Sequence, residues 1–120
     1  MSVQSSVTNV WSSQSLTAGA GNTTSSATSV GSGYGTVAIG NITNGGTGPT
    51  VAAQVQAQVS IDGTNYDNYG GPIVGLTSNN GVQPLYWQFP KEVQKIQFVA
   101  GSNTGQNVSV TIQVIYTTAL

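Results

Sequence analysis

Hydrophobic residues in this chain recur at every second position, in runs broken by turn-forming residues roughly every ten residues, the spacing of short antiparallel strands. The clearest run is Thr50 to Ile61. There Val51, Ala53, Val55, Ala57, Val59 and Ile61 alternate with Ala52, Gln54, Gln56, Gln58 and Ser60. A period of two places one set on each face of a strand, so the pattern predicts a half-buried β-strand. Asn107 to Thr117 repeats it, with Val108, Val110, Ile112, Val114 and Tyr116 set against Ser109, Thr111, Gln113 and Ile115. Shorter alternations predict further strands. Leu85, Trp87 and Phe89 share a face within Pro84 to Phe89, as do Ile96 and Phe98 within Val93 to Ala100, and Val37 and Ile39 within Tyr34 to Thr43. Thr23 to Val30 reads as a weak, Ser/Thr-dominated strand.

Between these runs stand Gly31-Ser32-Gly33, Asn44-Gly45, Asp62-Gly63 and Asn80-Gly81, pairs that favour tight turns because Gly and Asn tolerate positive φ. Pro72 keeps the irregular stretch Tyr66 to Leu76 off a central strand position, since proline has no N–H to donate. No helical period is present. About seven or eight short strands with turn signals between them predict an all-β fold, an antiparallel β-sandwich with jelly-roll-like character. Residues 50–61 and 107–117 are expected at the centres of sheets, being long and free of Gly and Pro.

The first residues are different. Val3, Val7 and Val10 are spaced as on a helix turn, but the surrounding Ser, Thr and Val disfavour a helix. Residues 1–13 are therefore expected as an extended N-terminal arm with Trp11 as its large anchor, and residues 14–120 as the sandwich domain. Nothing at the start has the basic and apolar regions of a secretory signal.

Composition narrows the function. Of 120 residues, 4% are charged, against about 25% in an ordinary soluble domain. Gly, Ser, Thr, Asn and Gln make up more than half of the chain, and apolar residues reach 38%. Low net charge and regular alternation argue for a folded domain rather than a disordered one. There is no His and no Cys, which removes zinc fingers, thiol nucleophiles, imidazole bases and disulfides. Lys91 and Lys95 are the only basic side chains, too few for a nucleic-acid surface. No apolar run approaches the roughly 20 residues of a helical membrane span.

Candidate chemistry is sparse. Asp62, Asp67, Asn65 and Asn68 could offer oxygen ligands to a hard cation. The simpler reading is a turn whose Asp and Asn side chains bond their own backbone. A glycosidase pair drawn from Asp62, Asp67 and Glu92 has almost no neighbouring charge to tune it. The serines lack a base to activate them. The Gly-rich stretches lack the strand-to-helix context of a phosphate loop. The sequence therefore predicts no enzyme, no cofactor and no metal site. Tyr66, Tyr69 and Tyr86 are candidates for ring faces that meet a ligand such as a sugar, whereas Trp87 is expected in the core beside Leu85 and Phe89.

An uncharged surface can be covered by another subunit without stripping water from an ion. Gln54, Gln56 and Gln58 on one strand face, together with Val3, Val7, Val10 and Trp11 of the arm, are the expected interface residues. Gln94, Gln97 and Gln113 are candidates to extend the glutamine row on neighbouring strands.

The runs LTAGAGNTTSSATSV, TVAAQVQAQVSIDGTNYD and VQKIQFVAGSNTGQNVSVTIQVIYT resemble those of small virion structural proteins of tailed bacteriophages. The resemblance extends over about residues 14–118 and is greatest to head decoration (cement) proteins. It implies a protein made in the host cytoplasm that sits on the capsid surface of the virion. Its implied partners are its own copies, as a homotrimer, and the major capsid protein, with no nucleic acid and no membrane. A tail or fibre module that binds host-surface glycan is the alternative. The resemblance carries no catalytic residues.

Overall fold

The computed structural model describes residues 3–30 and 35–119. Residues 31–34, expected as a Gly-rich break and the start of a strand, lie outside the described residues. Ten strands follow in chain order: β1 (Val3–Leu16), β2 (Thr23–Thr24), β3 (Thr28–Ser29), β4 (Thr36–Asn44), β5 (Gln54–Ser60), β6 (Asp67–Asn68), β7 (Ile73–Val74), β8 (Val82–Phe89), β9 (Lys95–Gly101) and β10 (Val108–Ala119). Four of the ten are two-residue strands; the others match the strands the alternation predicts, with β1 added.

All pairings are antiparallel and build two sheets. The front sheet has the order β1-β10-β4-β8. The back sheet has the order β2-β9-β5-β6, with β3 also on β9 and β7 also on β5. Both long alternating strands are internal, β10 in the front sheet and β5 in the back. The chain is an antiparallel β-sandwich.

The core lies between the sheets. From the front come Ala38 and Ile42 of β4, Leu85, Trp87 and Phe89 of β8, and Val108, Val110, Ile112 and Val114 of β10. From the back come Val55 and Ala57 of β5 and Ile96, Phe98 and Ala100 of β9. Trp87 packs on Phe98 across the gap with ring centroids 5.1 Å apart. Each large apolar side chain buried this way contributes about 1.5–3 kcal/mol. The expected face of β5 holds only in its middle: Val51 and Ile61 are exposed, Val59 is half-buried, and Ser60 is buried instead. Ser60 is held there by its hydroxyl, which donates to Asp62 Oδ1 at 3.1 Å.

Buried amides fasten the loops. Asn44 Nδ2 donates to the carbonyls of Leu76 and Ser78, both at 2.9 Å. Asn103 Nδ2 donates to the carbonyls of Leu16 and Gln106, both at 3.0 Å. Among the described residues no buried side-chain polar atom lacks a partner, as a well-packed interior requires.

Residues 3–13, expected as an arm, are extended but not free. β1 runs through position 13 and pairs with β10 from Val3↔Ala119 to Leu16↔Val108. Its register shifts between Asn9 and Trp11 and again between Trp11 and Gln14, and Ser13 has φ 55°. Such irregularities re-aim side chains. Here Trp11 turns into the core, where it is 7% exposed, so it is not a surface anchor.

Candidate interaction surface

Register alone places the outward side chains of the front sheet. One row across the four strands is Val7, Ile115, Val37 and Gln88; the next is Asn9, Gln113, Ile39 and Tyr86. Val7 is 59% exposed, Ile39 37% and Tyr86 60%, while Val37 and Ile115 are half-buried beside them. Gln113 Nε2 donates to Asn9 Oδ1 at 2.9 Å, so that pair satisfies itself. None of the four strands carries a charged residue. The result is a charge-free face with an apolar band and one exposed tyrosine. Isolated surface hydrophobes are ordinary, but contiguous ones mark contact surfaces.

The back sheet presents a different face. Gln97 Nε2 donates to Gln58 Oε1 at 2.7 Å, and Gln58 Nε2 donates to Asn68 Oδ1 at 3.0 Å. Gln56 Nε2 donates to the carbonyls of Ala57 at 2.8 Å and Gly70 at 3.1 Å. The amides of Gln56 and Gln58 are thus engaged within the chain and hold the segment after β6 against β5. They do not form an open row for a partner. Gln54 is half-buried beside Val74. Gln113, expected to extend the glutamine row, belongs to the other sheet.

The remaining expected site residues separate. Val10 is half-buried and packs on the core, and Val7 is exposed on the front face. The Val3 side chain lies outside the described residues. Tyr69 is not ligand-facing: its ring packs on Phe89 at 5.0 Å and its hydroxyl donates to the Gln88 carbonyl at 2.7 Å. Tyr66 is half-buried. Only Tyr86 presents most of its ring to solvent, and it lies on a different sheet from the strands flanking Tyr66 and Tyr69.

The Asp62 carboxylate organises its own loop. Oδ1 accepts the backbone N–H groups of Thr64 and Asn65, both at 2.8 Å, and Oδ2 accepts Asn65 Nδ2 at 2.8 Å. The Asn65 N–H, followed by the Thr64 N–H and the Asn65 amide, holds its pKa far below the usual carboxylate range, because each bond favours the charged form. Among the described residues no three His, Cys, Asp or Glu side chains come together as a metal would need.

The sequence made little of the front face legible. Val37 and Ile39 do share a face, but it is the outer one. Ala38 and Ile42 fill the core instead. The one usable signal was the exposed-aromatic reading of Tyr86.

No family profile and no curated protein matches this chain. Solved structures share its fold. The capsid protein VP2 of infectious bursal disease virus, in a subviral particle, superimposes with a TM-score of 0.60 at 12% identity, over 95% of this chain and 33% of that one. This chain therefore spans about a third of that protein. The SPBc2 prophage-derived protein YomS superimposes with a TM-score of 0.58 at 13% identity, over 98% of this chain and 96% of YomS. Dimeric latent PorU from Porphyromonas gingivalis gives 0.55 at 14% identity, over 100% of this chain and 13% of PorU. At these identities the likeness is one of fold.

Proposed function

We propose that this chain is a structural protein of a viral particle, a decoration or cement protein that lies on a phage head shell and binds the capsid protein beneath it. The observation that carries the reading is the charge-free front sheet, whose outer face exposes Val7, Ile39 and Tyr86. A protein that must stay seated for the life of a particle benefits from contacts that strip no ion of water. An exposed aromatic such as Tyr86, on the edge strand β8 of that face, is the kind of side chain that dominates interface energetics. The sequence resemblance supports the phage-head assignment. So does the fold shared over nearly its whole length with a prophage-derived protein, and over a segment of a viral capsid protein. The trimer that the resemblance implies rests on the resemblance alone.

The test is attachment to shells of the parent virus prepared without this protein. The wild-type chain is expected to co-sediment with them. Ile39→Ser with Tyr86→Ser is expected to abolish attachment while the domain still folds cooperatively, with a modestly lower unfolding midpoint. Full attachment by the double variant removes the front face from the reading. Glycan binding that disappears in Tyr86→Ala, without any shell binding, replaces it with the tail or fibre alternative.

A further inference from the structure

We propose that the first half of β1 is a self-association edge, which pairs antiparallel with the same segment of a second copy about a two-fold axis through Val7. An open sandwich has two free edges on each sheet, and unpaired edge strands are templates for other strands unless something blunts them. Three of the four edges are blunted here. The back sheet ends in two-residue strands on both sides, β2 and β3 on β9, and β6 and β7 on β5.

On the front sheet, β8 is protected group by group. The Asn44 N–H donates to the Gly81 carbonyl at 2.8 Å, and the pairing of β4 with β8 continues without a shift. Antiparallel residues alternate between bonding the partner and facing away. Gln83, Leu85, Trp87 and Phe89 therefore bond β4, while Val82, Pro84, Tyr86 and Gln88 face outward. Pro84 has no N–H. Its carbonyl accepts Gln83 Nε2 at 3.0 Å, and the Gln88 carbonyl accepts the Tyr69 hydroxyl at 2.7 Å. An incoming strand meets one missing donor and two occupied acceptors.

The same alternation carried across the sheet exposes β1. Val37, Ile39, Asn41 and Thr43 bond β10, so Val114 and Tyr116 of β10 bond Thr8 and Ser6 on its other side. Ser5, Val7 and Asn9 then turn their N–H and C=O groups to the free edge. From Ser5 to Asn9 the register is unshifted, and the irregularities begin only after Asn9. This stretch has no charge, no proline and no glycine. Among the described residues no other segment pairs with its outer side.

A second copy fits this edge. A two-fold axis through Val7 sets Val7 against its own symmetry mate and Ser5 against the Asn9 of the other copy. About six backbone hydrogen bonds result, in the alternating antiparallel pattern. A symmetric contact brings like against like, and on a sheet without charged residues nothing repels. The apolar row Val37–Ile115–Val7 continues into the second copy, and Val7, 59% exposed in the single chain, is covered by its mate. The two front sheets become one.

Sedimentation equilibrium of the full chain across micromolar to millimolar concentration is expected to show a monomer–dimer equilibrium. Val7→Pro removes an outward N–H that no bond within the chain uses, and is expected to be monomeric with the unfolding midpoint that the wild-type chain has at concentrations where it too is monomeric. Val7→Lys, which opposes two like charges at the axis, is expected to be monomeric at low ionic strength. Amide exchange at Ser5, Val7 and Asn9 is expected to slow as the wild-type concentration rises, and not to slow in either variant. A wild-type chain that stays monomeric, or that forms a trimer, overturns the proposal. So does a dimer that survives in both variants. If Val7→Pro fails to fold, Val7→Lys and the wild-type exchange decide. A chain that is monomeric alone but protects these amides only on shells assigns the edge to the capsid protein and also overturns it.

Discussion

Tyr69 and Gln88 belong to opposite sides of the sandwich and are joined by one hydrogen bond, the Tyr69 hydroxyl donating to the Gln88 carbonyl at 2.7 Å. The same tyrosine packs its ring on Phe89, and its backbone N–H donates to the Ala57 carbonyl at 2.9 Å. One residue thus ties the margin of the back sheet to the edge strand of the front sheet. Tyr69→Phe keeps the ring and removes the hydroxyl. The expected cost is about 1 kcal/mol, the net worth of one ordinary hydrogen bond, read as a lower urea midpoint with an unchanged slope.

Gly40 sits in the middle of β4, opposite Ile112 of β10. A Cβ built there would collide with the backbone carbonyl oxygen of Thr111. Backbone in a central strand cannot move aside as the end of a long side chain can. Gly40→Ala is therefore expected to destabilise the fold by roughly 3 kcal/mol or more, at the severe end of single substitutions. Gly45→Ala, where nothing lies within reach of the added carbon, is the matched control and is expected to change the melting temperature little.

Trp11 and Trp87 are both buried from β-strands of the front sheet, each 7% exposed. Truncation of either to alanine is expected to cost about 3–5 kcal/mol, as removal of a large core aromatic does. Deletion of residues 1–13 is expected to destabilise the domain as well, because it takes Trp11 from the core and leaves the outer side of β10 unpaired along most of its length. A truncated chain with wild-type stability would show that β1 contributes nothing to the fold.

The Asp62 loop sets a pH dependence with a definite sign. The folded-state pKa of Asp62 is lowered, chiefly by the Asn65 N–H, so the unfolded chain binds the proton more readily. The stabilisation is present above the ordinary aspartate value of about 3.9 and is lost only as pH falls below it toward the folded value. The Asp62 carboxyl resonance is expected to remain that of the ionised form at pH values well below the ordinary aspartate range. Asp62→Asn is expected to leave stability near neutral pH slightly lower and to flatten its acid limb. An Asp62 that titrates together with ordinary carboxylates would mean that the loop does not hold its bonds in solution.

Alternation by itself determined that this chain is a β-sandwich. Side chains on a strand point to opposite faces in turn, so a sustained period of two is a direct imprint of the backbone. The runs around Val55 and Ile112 could be assigned to central strands because nothing in them interrupts a ladder. The absence of His and Cys and the scarcity of charge could likewise be read without coordinates. Tertiary structure decided which face was the inner one wherever both were apolar: Val37 and Ile39 alternate as regularly as Ala38 and Ile42, and only packing against the opposite sheet distinguishes them. It also decided the fate of β1. An irregularity of one residue reverses every later side chain, and the one between Asn9 and Trp11 turned an expected surface anchor, Trp11, into core. Finally, it engaged the glutamines. Whether Gln56 and Gln58 meet a partner or their own chain depends on where the segment after Asp67 lies, which is a contact between distant residues that no local pattern encodes.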